Sequence, residues 1–420
     1  YTEWYKGLSI RLSTKLFQDA KPAMTQGFSF TRKQSASNKT PRQINRNLVF
    51  NLVRMRQPIS RADLARVSGL QRSTVSLIVE GLIAGRWISE GSTGRLPRGR
   101  RPTFLHVNDH RAVIALDVHP AQTTVAVVDL SGRIVAQSVV TAPPEVTPGS
   151  DGKEAVSAIV AVIRKLMAAH KDRSFDGVGI SIPGRADARQ QKLVFAPNLN
   201  WGTMDIKSKI EKATGLRVEM DNVANACVLS EVWFGDTDGS RDMVVVNVSE
   251  GLGTGIFANG KLLRGEGGMA GEFGHVQVVP DGPLCGCGSN GCWETMASNR
   301  AALRFYSELT GGKTGDGGST LTFDLLLKQA LAGDQKAVAA VEKMSRYLGG
   351  GMRMIASALA PHEIIVVGDI TMAWHLFGPV VEGEFRKSKL THVPTLRPAY
   401  DAKVARLRSA VALVWNERPI

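Results

Sequence analysis

The chain has 420 residues, of which 43% are hydrophobic, enough for globular cores and too many for a disordered protein. No run approaches the ~18 consecutive apolar residues of a membrane-spanning helix, so no membrane association is expected and the cytoplasm is the expected compartment. The net charge of +14 is uneven: residues 1–111 hold 20 basic and 6 acidic side chains, residues 112–420 hold 32 of each, and a polyanion such as nucleic acid is the expected partner of the N-terminal part.

Residues 1–40 are basic and rich in Ser, Thr and Lys, and they read as a flexible arm. From Thr40, Ile44, Leu48, Leu52 and Val53 recur at helical spacing. Ser60 before Arg61-Ala62-Asp63 resembles a capping box, with Leu64, Ala65 and Val67 as the stripe of a second helix and Gly69 permitting a sharp turn. Over residues 70–84, Val75, Ile78, Val79, Leu82 and Ile83 share one face while Gln71, Arg72, Ser73 and Ser76 point elsewhere, the outline of a helix-turn-helix. Trp87-Ile88-Ser89 and residues 103–107 have strand character on either side of the basic loop from Gly91 to Pro102, which makes a wing.

Residues 41–108 are therefore expected to be a winged helix-turn-helix that binds double-stranded operator DNA. Gln71, Arg72, Ser73 and Ser76 would face base edges in the major groove, and Arg95, Arg98, Arg100 and Arg101 would hold phosphates or a narrow minor groove. Two such helices matched to half-sites one turn apart imply a homodimer or homotetramer. The alternative is a three-helix protein-docking module.

Residues 109–420 follow a different pattern. Three closely spaced strands are expected at 112–117, 123–129 and 133–140, then a helix over 154–169 and the apolar run 177–182. Further strands are expected at 216–220, 243–248, 254–258 and 364–367, with helices over 223–234 and 335–360. Strands interleaved with helices give an α/β fold. Within it, His275, Cys285, Cys287 and Cys292 supply one imidazole and three thiolates, the donor set of a closed tetrahedral zinc site. The alternative is a glycine-rich surface loop whose cysteines are incidental or paired as a disulfide.

Several motifs together resemble one family across residues 40–420. Gly99-Arg100-Arg101-Pro102, the glycines of Gly251-Leu252-Gly253-Thr254-Gly255, then Gly271-Glu272-Phe273-Gly274-His275 and the Cys-Gly-Cys-Gly segment from 285 resemble the ROK family of sugar kinases and sugar-responsive repressors, the latter of the xylose or N-acetylglucosamine type. The resemblance implies a winged helix-turn-helix joined to a two-lobed, actin-like (ribonuclease H-like) ATPase domain at 109–420. It further implies a small sugar effector contacted by Gly184, Asn198, Asn222, Glu272, His275 and Glu294, with His275 shared between zinc and sugar.

Active kinases of the family carry an Asp-x-Gly-Gly-Thr phosphate turn, where this chain has Asp117-Val118-His119-Pro120-Ala121-Gln122-Thr123. They carry Asn-Asp-x-Asn with a basic Asp, where this chain has Asn222-Val223-Ala224-Asn225, and a late Gly-Gly where this chain has Gly368-Asp369. The expected function is a sugar-responsive, DNA-binding transcriptional regulator, a repressor, whose kinase-like domain binds carbohydrate without catalysis. The alternative is an ATP-dependent sugar kinase that also binds DNA.

Overall fold

The computed structural model describes residues 39–93, 102–119, 122–141, 153–187, 192–195, 199, 205–235, 242–312, 321–387, 393–399 and 404–416. Arg95, Arg98, Arg100, Arg101 and Asn198, and all but the end of the expected arm, lie outside these residues. Packing separates Tyr1–Arg42 from a second unit, Gln43–Ile420. Of the first, only the opening of a helix is described; the architecture below is that of the second.

Helix α1 (Lys39–Arg56) ends in Arg54 and Arg56, whose charge suits the carbonyl end of a helix. Strand β1 (Ile59–Ser60) leads into α2 (Arg61–Ser68). There the Ser60 hydroxyl accepts from the Asp63 amide at 3.2 Å and donates to its carboxylate at 2.7 Å, so the expected cap forms with Asp in place of Glu. Gly69, at φ 69°, ends α2 and turns the chain into α3 (Arg72–Ala84). Strands β2 (Ile88–Thr93) and β3 (Thr103–Val107) pair antiparallel, and β1 joins the far edge of β3. The sequence pattern predicts two of these strands; β1 is too short to show a period.

The next elements are β4 (Arg111–Val118), β5 (Gln122–Asp129), β6 (Ile134–Thr141), α4 (Lys153–Ala169) and β7 (Ser174–Ile182). They continue with β8 (Arg185–Asp187), β9 (Lys192–Phe195), α5 (Ile206–Thr214), β10 (Val218–Asn222) and α6 (Val223–Phe234). A second series follows with β11 (Met243–Val248), β12 (Leu252–Ala258), β13 (Lys261–Leu263), α7 (Trp293–Ala297), α8 (Asn299–Thr310) and α9 (Phe323–Leu331). It ends with α10 (Gln335–Leu359), β14 (Glu363–Val367), α11 (Trp374–Phe385), β15 (Thr395–Pro398) and α12 (Ala405–Asn416). Among the described residues no helix is long and apolar enough to cross a membrane.

Two five-stranded sheets repeat one topology, β6-β5-β4-β7-β10 and β13-β12-β11-β14-β15. In each, an antiparallel three-strand meander continues into two parallel strands, so the expected two-lobed α/β fold is built from two sheets of like topology. Central strands are apolar along their length because both faces are covered. On β4, Ala112, Ile114 and Leu116 pack with α4 and α5, while Val113 and Ala115 pack with α6 and α12.

Helix α12 lies so close to β7 that a Cβ at Gly179 would meet the Ala410 carbonyl oxygen at 1.8 Å. Arg406 of α12 pairs with Asp117 at 2.9 Å, and the Trp415 indole donates to Asp176 at 3.1 Å. Asp176 also takes a two-pronged contact from Arg111, whose guanidinium stacks 3.8 Å from the Trp87 ring centre. Around this junction Phe50 of α1 meets Trp87 edge-on at 5.5 Å and Trp233 of α6 at 6.1 Å, and Trp233 meets Trp415 at 5.9 Å. One apolar core thus runs from Val49, Phe50 and Leu82 into α6 and α12.

Candidate functional site

After a 3₁₀ turn, Glu272–His275, the chain folds into a tight loop closed by a bridge between Leu284 and Asn290. Gly291 has φ 64°, and a Cβ there would sit 1.6 Å from the Val279 carbonyl oxygen, so only glycine lets the two strands of the loop meet. The loop gathers His275, Cys285, Cys287 and Cys292, whose ligand atoms all lie within 4.8 Å of one another. Cys285 Sγ is 3.5 Å from His275 Nδ1, and the Sγ atoms of Cys287 and Cys292 are 3.6 Å apart. Four ligands around one zinc, with Zn–S near 2.3 Å, give sulfur pairs about 3.8 Å apart. The spacing is therefore that of a shared ion, and since all three cysteines are free the disulfide alternative falls.

Burial, then the neighbouring thiols, push the Cys292 thiol up to about 12, and burial also raises Cys285. A hydrogen bond from the Ser289 backbone holds Cys287 down at about 7. A divalent cation would offset the charge of these crowded sulfurs, and three thiolates with one imidazole favour zinc over harder ions.

The same loop walls a cavity of about 480 Å³. Gly184, Asn222, Glu272, His275 and Glu294 all line it, so five of the six expected sugar contacts come together from segments 110 residues apart in sequence. Asn222 is also the N-cap of α6, its Oδ1 accepting from the Ala224 amide at 2.8 Å, and its Nδ2 donates to the Gly184 carbonyl at 2.6 Å. The ordinary capping role and a ligand role coexist, because an amide retains one further donor and acceptor.

Glu294 Oε2 accepts from the Leu252 amide at 3.0 Å, and a Cβ at Gly251 would lie 2.4 Å from that oxygen. His275 turns Nδ1 to Cys285 and Nε2 to Glu272, 3.5 Å away, so one ring joins the metal cluster to a cleft carboxylate. A cavity ringed by carboxylates, amides and an imidazole suits a small ligand with several hydroxyls.

Val223, 4% exposed, stands in the first turn of α6 between Asn222 and Asn225. Sequence reasoning missed two neighbours of this wall. Asn247, only 2% exposed, lines the cavity from β11 with an Oδ1 that finds no partner, and Asp221 is held by Arg264 at 2.8 Å. It also missed an ion network at the end of β4. Asp117 pairs with Arg406 and, at 3.1 Å, with His119 Nε2, and His119 Nδ1 approaches Glu250 of the other sheet at 3.8 Å.

Burial and the charge of Arg406 oppose protonation of His119, but the carboxylates of Asp117 and Glu250 outweigh them and raise it to about 9. The hydrogen bond from His119 holds Glu250 at about 2 against its own burial. Burial opposes ionisation of Asp117, yet Arg406 and His119 hold it below the ordinary carboxylate range. The chemistry of these residues is unremarkable in the sequence; Arg406 arrives from 289 residues away.

On α3, Gln71 at the N-cap makes no capping bond with its side chain; it, Arg72 and Ser73 are exposed, and Ser76 is half-buried. Among the described residues nothing packs over this solvent face of α3.

A family model described as "ROK family" matches residues 113–413. A xylose repressor of Bacillus subtilis (strain 168) is 31% identical over 335 residues, 78% of this chain and 83% of the repressor. A solved ROK family transcriptional regulator, described as a homolog of the E. coli MLC protein, superposes with TM-score 0.69 at 26% identity over 89% of this chain and 96% of that one. A ROK family glucokinase from Streptomyces griseus, in complex with glucose and AMPPNP, superposes with TM-score 0.63 at 31% identity over 73% of this chain and 99% of the kinase.

This last likeness corrects the expectation, drawn from Val223 and the altered phosphate elements, that the protein is not an enzyme. Nearly the whole of a sugar kinase is matched here, and general-base chemistry is not tied to position 223 while Glu250, Glu272 and Glu294 line the cleft. With most of its length matched by the family model and its metal cluster and cleft gathered in one fold, the chain belongs to the ROK family.

Proposed function

We propose that the protein is a sugar-responsive transcriptional regulator of the cytoplasm, with residues 41–108 holding operator DNA and residues 109–420 holding a small sugar. The observation that carries this reading is α6. Its first turn, Asn222 to Asn225, lines the cleft, and its last, Trp233 and Phe234, packs against α1 through Phe50 and Arg54. At about 1.5 Å per residue, one rigid helix spans the distance between ligand and head. A sugar that favours one placement of α6 then favours one placement of the head, and the two affinities become linked.

In this reading Asn222, Glu272, His275, Glu294 and Gly184 hold the hydroxyls, and zinc fixes the ring of His275. A homodimer or homotetramer sets two α3 helices one turn of DNA apart. The name of the Bacillus relative makes a pentose such as xylose the first effector to try. Anisotropy of a fluorescent duplex selected from a random library, titrated with single sugars, tests it; affinity unchanged by every sugar that stabilises the protein would overturn the sugar-responsive part.

A second reading, an ATP-dependent sugar kinase that also binds DNA, is favoured by the glucokinase likeness and by the carboxylates of the cleft. Steady formation of phosphorylated sugar from ATP by the purified protein, abolished by Glu272→Gln, would establish it.

A further inference from the structure

At about 100° per residue, Val75, Ile78, Val79 and Leu82 of α3 share one side of the helix, and all four are buried. Opposite them Ser73, Leu77, Glu80 and Ala84 form a single exposed stripe. Leu77 stands in the middle of that stripe, 69% exposed, with Ser73 one turn before it and Ser76 next to it in the chain. An apolar side chain in that place gains by losing contact with water, and among the described residues none covers it.

Two observations identify what covers it. Residues 1–111 hold 20 basic and 6 acidic side chains, which favours a polyanion over the apolar face of another protein. Glu80, one turn from Leu77 on the same stripe, repels phosphate, so the stripe is suited to base edges and not to the backbone. On those edges in the major groove, the one apolar group is the C5-methyl of thymine.

We propose that Leu77 is a specificity-determining residue that packs on a thymine methyl in each operator half-site, beside the polar contacts of Arg72, Ser73 and Ser76. The assignment rests on the reading of residues 41–108 as a DNA-binding head. It adds to that reading a requirement on the operator: one thymine per half-site whose methyl, and not only whose hydrogen-bonding edge, is recognised.

The test uses the full chain and duplexes selected from a random library, with each thymine replaced in turn by deoxyuridine, which removes only the methyl. The wild type is expected to lose about fourfold in affinity per half-site at one symmetric position, the worth of one buried methyl. Leu77→Ala should bind the thymine and uridine duplexes equally at that position, Leu77→Met should keep the preference, and Arg72→Ala should keep it too while binding more weakly.

Because Leu77 is exposed, neither of its variants endangers folding. Indifference of the wild type to uridine at every position would overturn the assignment, as would a full uridine penalty in Leu77→Ala. In both cases DNA selectivity itself would stand. A library from which no sequence is enriched would instead remove the DNA-binding reading, and this assignment with it.

Discussion

His119, just past the end of β4, bridges Asp117 of that strand and Glu250 of the turn between β11 and β12. Its folded pKa of about 9 lies above the ordinary 6.5, so its contribution to stability is complete below about pH 6.5 and is lost as the pH rises through about 9. Glu250, held at about 2, contributes above the ordinary carboxylate range and loses that contribution only as the pH falls through about 2. His119→Gln should therefore lower the thermal midpoint at pH 6 and leave little difference at pH 10; a gap of constant size across that range would contradict the bridge.

At the cluster, the wild type should carry about one zinc per chain by atomic emission, and Cys287→Ser should lose most of it and weaken stabilisation by any sugar that binds the wild type. Retained zinc would take Cys287 out of the ligand set. The cluster was legible in the sequence because its ligands fall within 18 residues, whereas Arg406 and Asp117 meet only once the chain has folded.

The amphipathic and uniformly apolar elements were the readable ones: α2, α3, α4, α6 and α10 stand where their periodicity predicts, as do β4, β5 and β6 of the first meander and β11 and β12 of the second. Helices α5, α7, α8, α9, α11 and α12 and strand β13 were not read. Helix α11 carries Pro379 within it, and α12 is buried nearly all round, from Leu407 to Trp415, so neither shows a clean stripe. Leu77 was readable in part, since it falls outside the apolar stripe of α3, but its exposure is a property of the packed head.

Among these elements α6 is the one that reaches both cleft and head. Phe50→Leu removes two edge-on aromatic contacts, worth about 1–3 kcal/mol together, while leaving the cleft untouched. It should leave the thermal shift given by sugar intact and shrink the effect of sugar on DNA affinity several-fold. A variant with unchanged coupling would show that the signal does not pass through α1 and α6.

Across the molecule, the whole charge excess resides in residues 1–111. Affinity for random and selected DNA alike should fall steeply with salt, and neutralising both Arg100 and Arg101 should reduce the slope of log K against log salt by about 2. An unchanged slope would place those arginines away from phosphate. The basic head and the α/β class could be read from composition and pattern alone. How the head sits on the core could not be, because Phe50, Trp87, Trp233 and Trp415 are scattered through the chain and meet only in three dimensions.

That junction has a temporal side. Helix α12, which follows all the other described elements in chain order, is the one against which β4, β7 and the tryptophans beneath the head are packed. A nascent polypeptide still missing it lacks Arg406 beside Asp117 and Trp415 beside Asp176 and Trp233, so the junction is completed only after translation has passed Trp415.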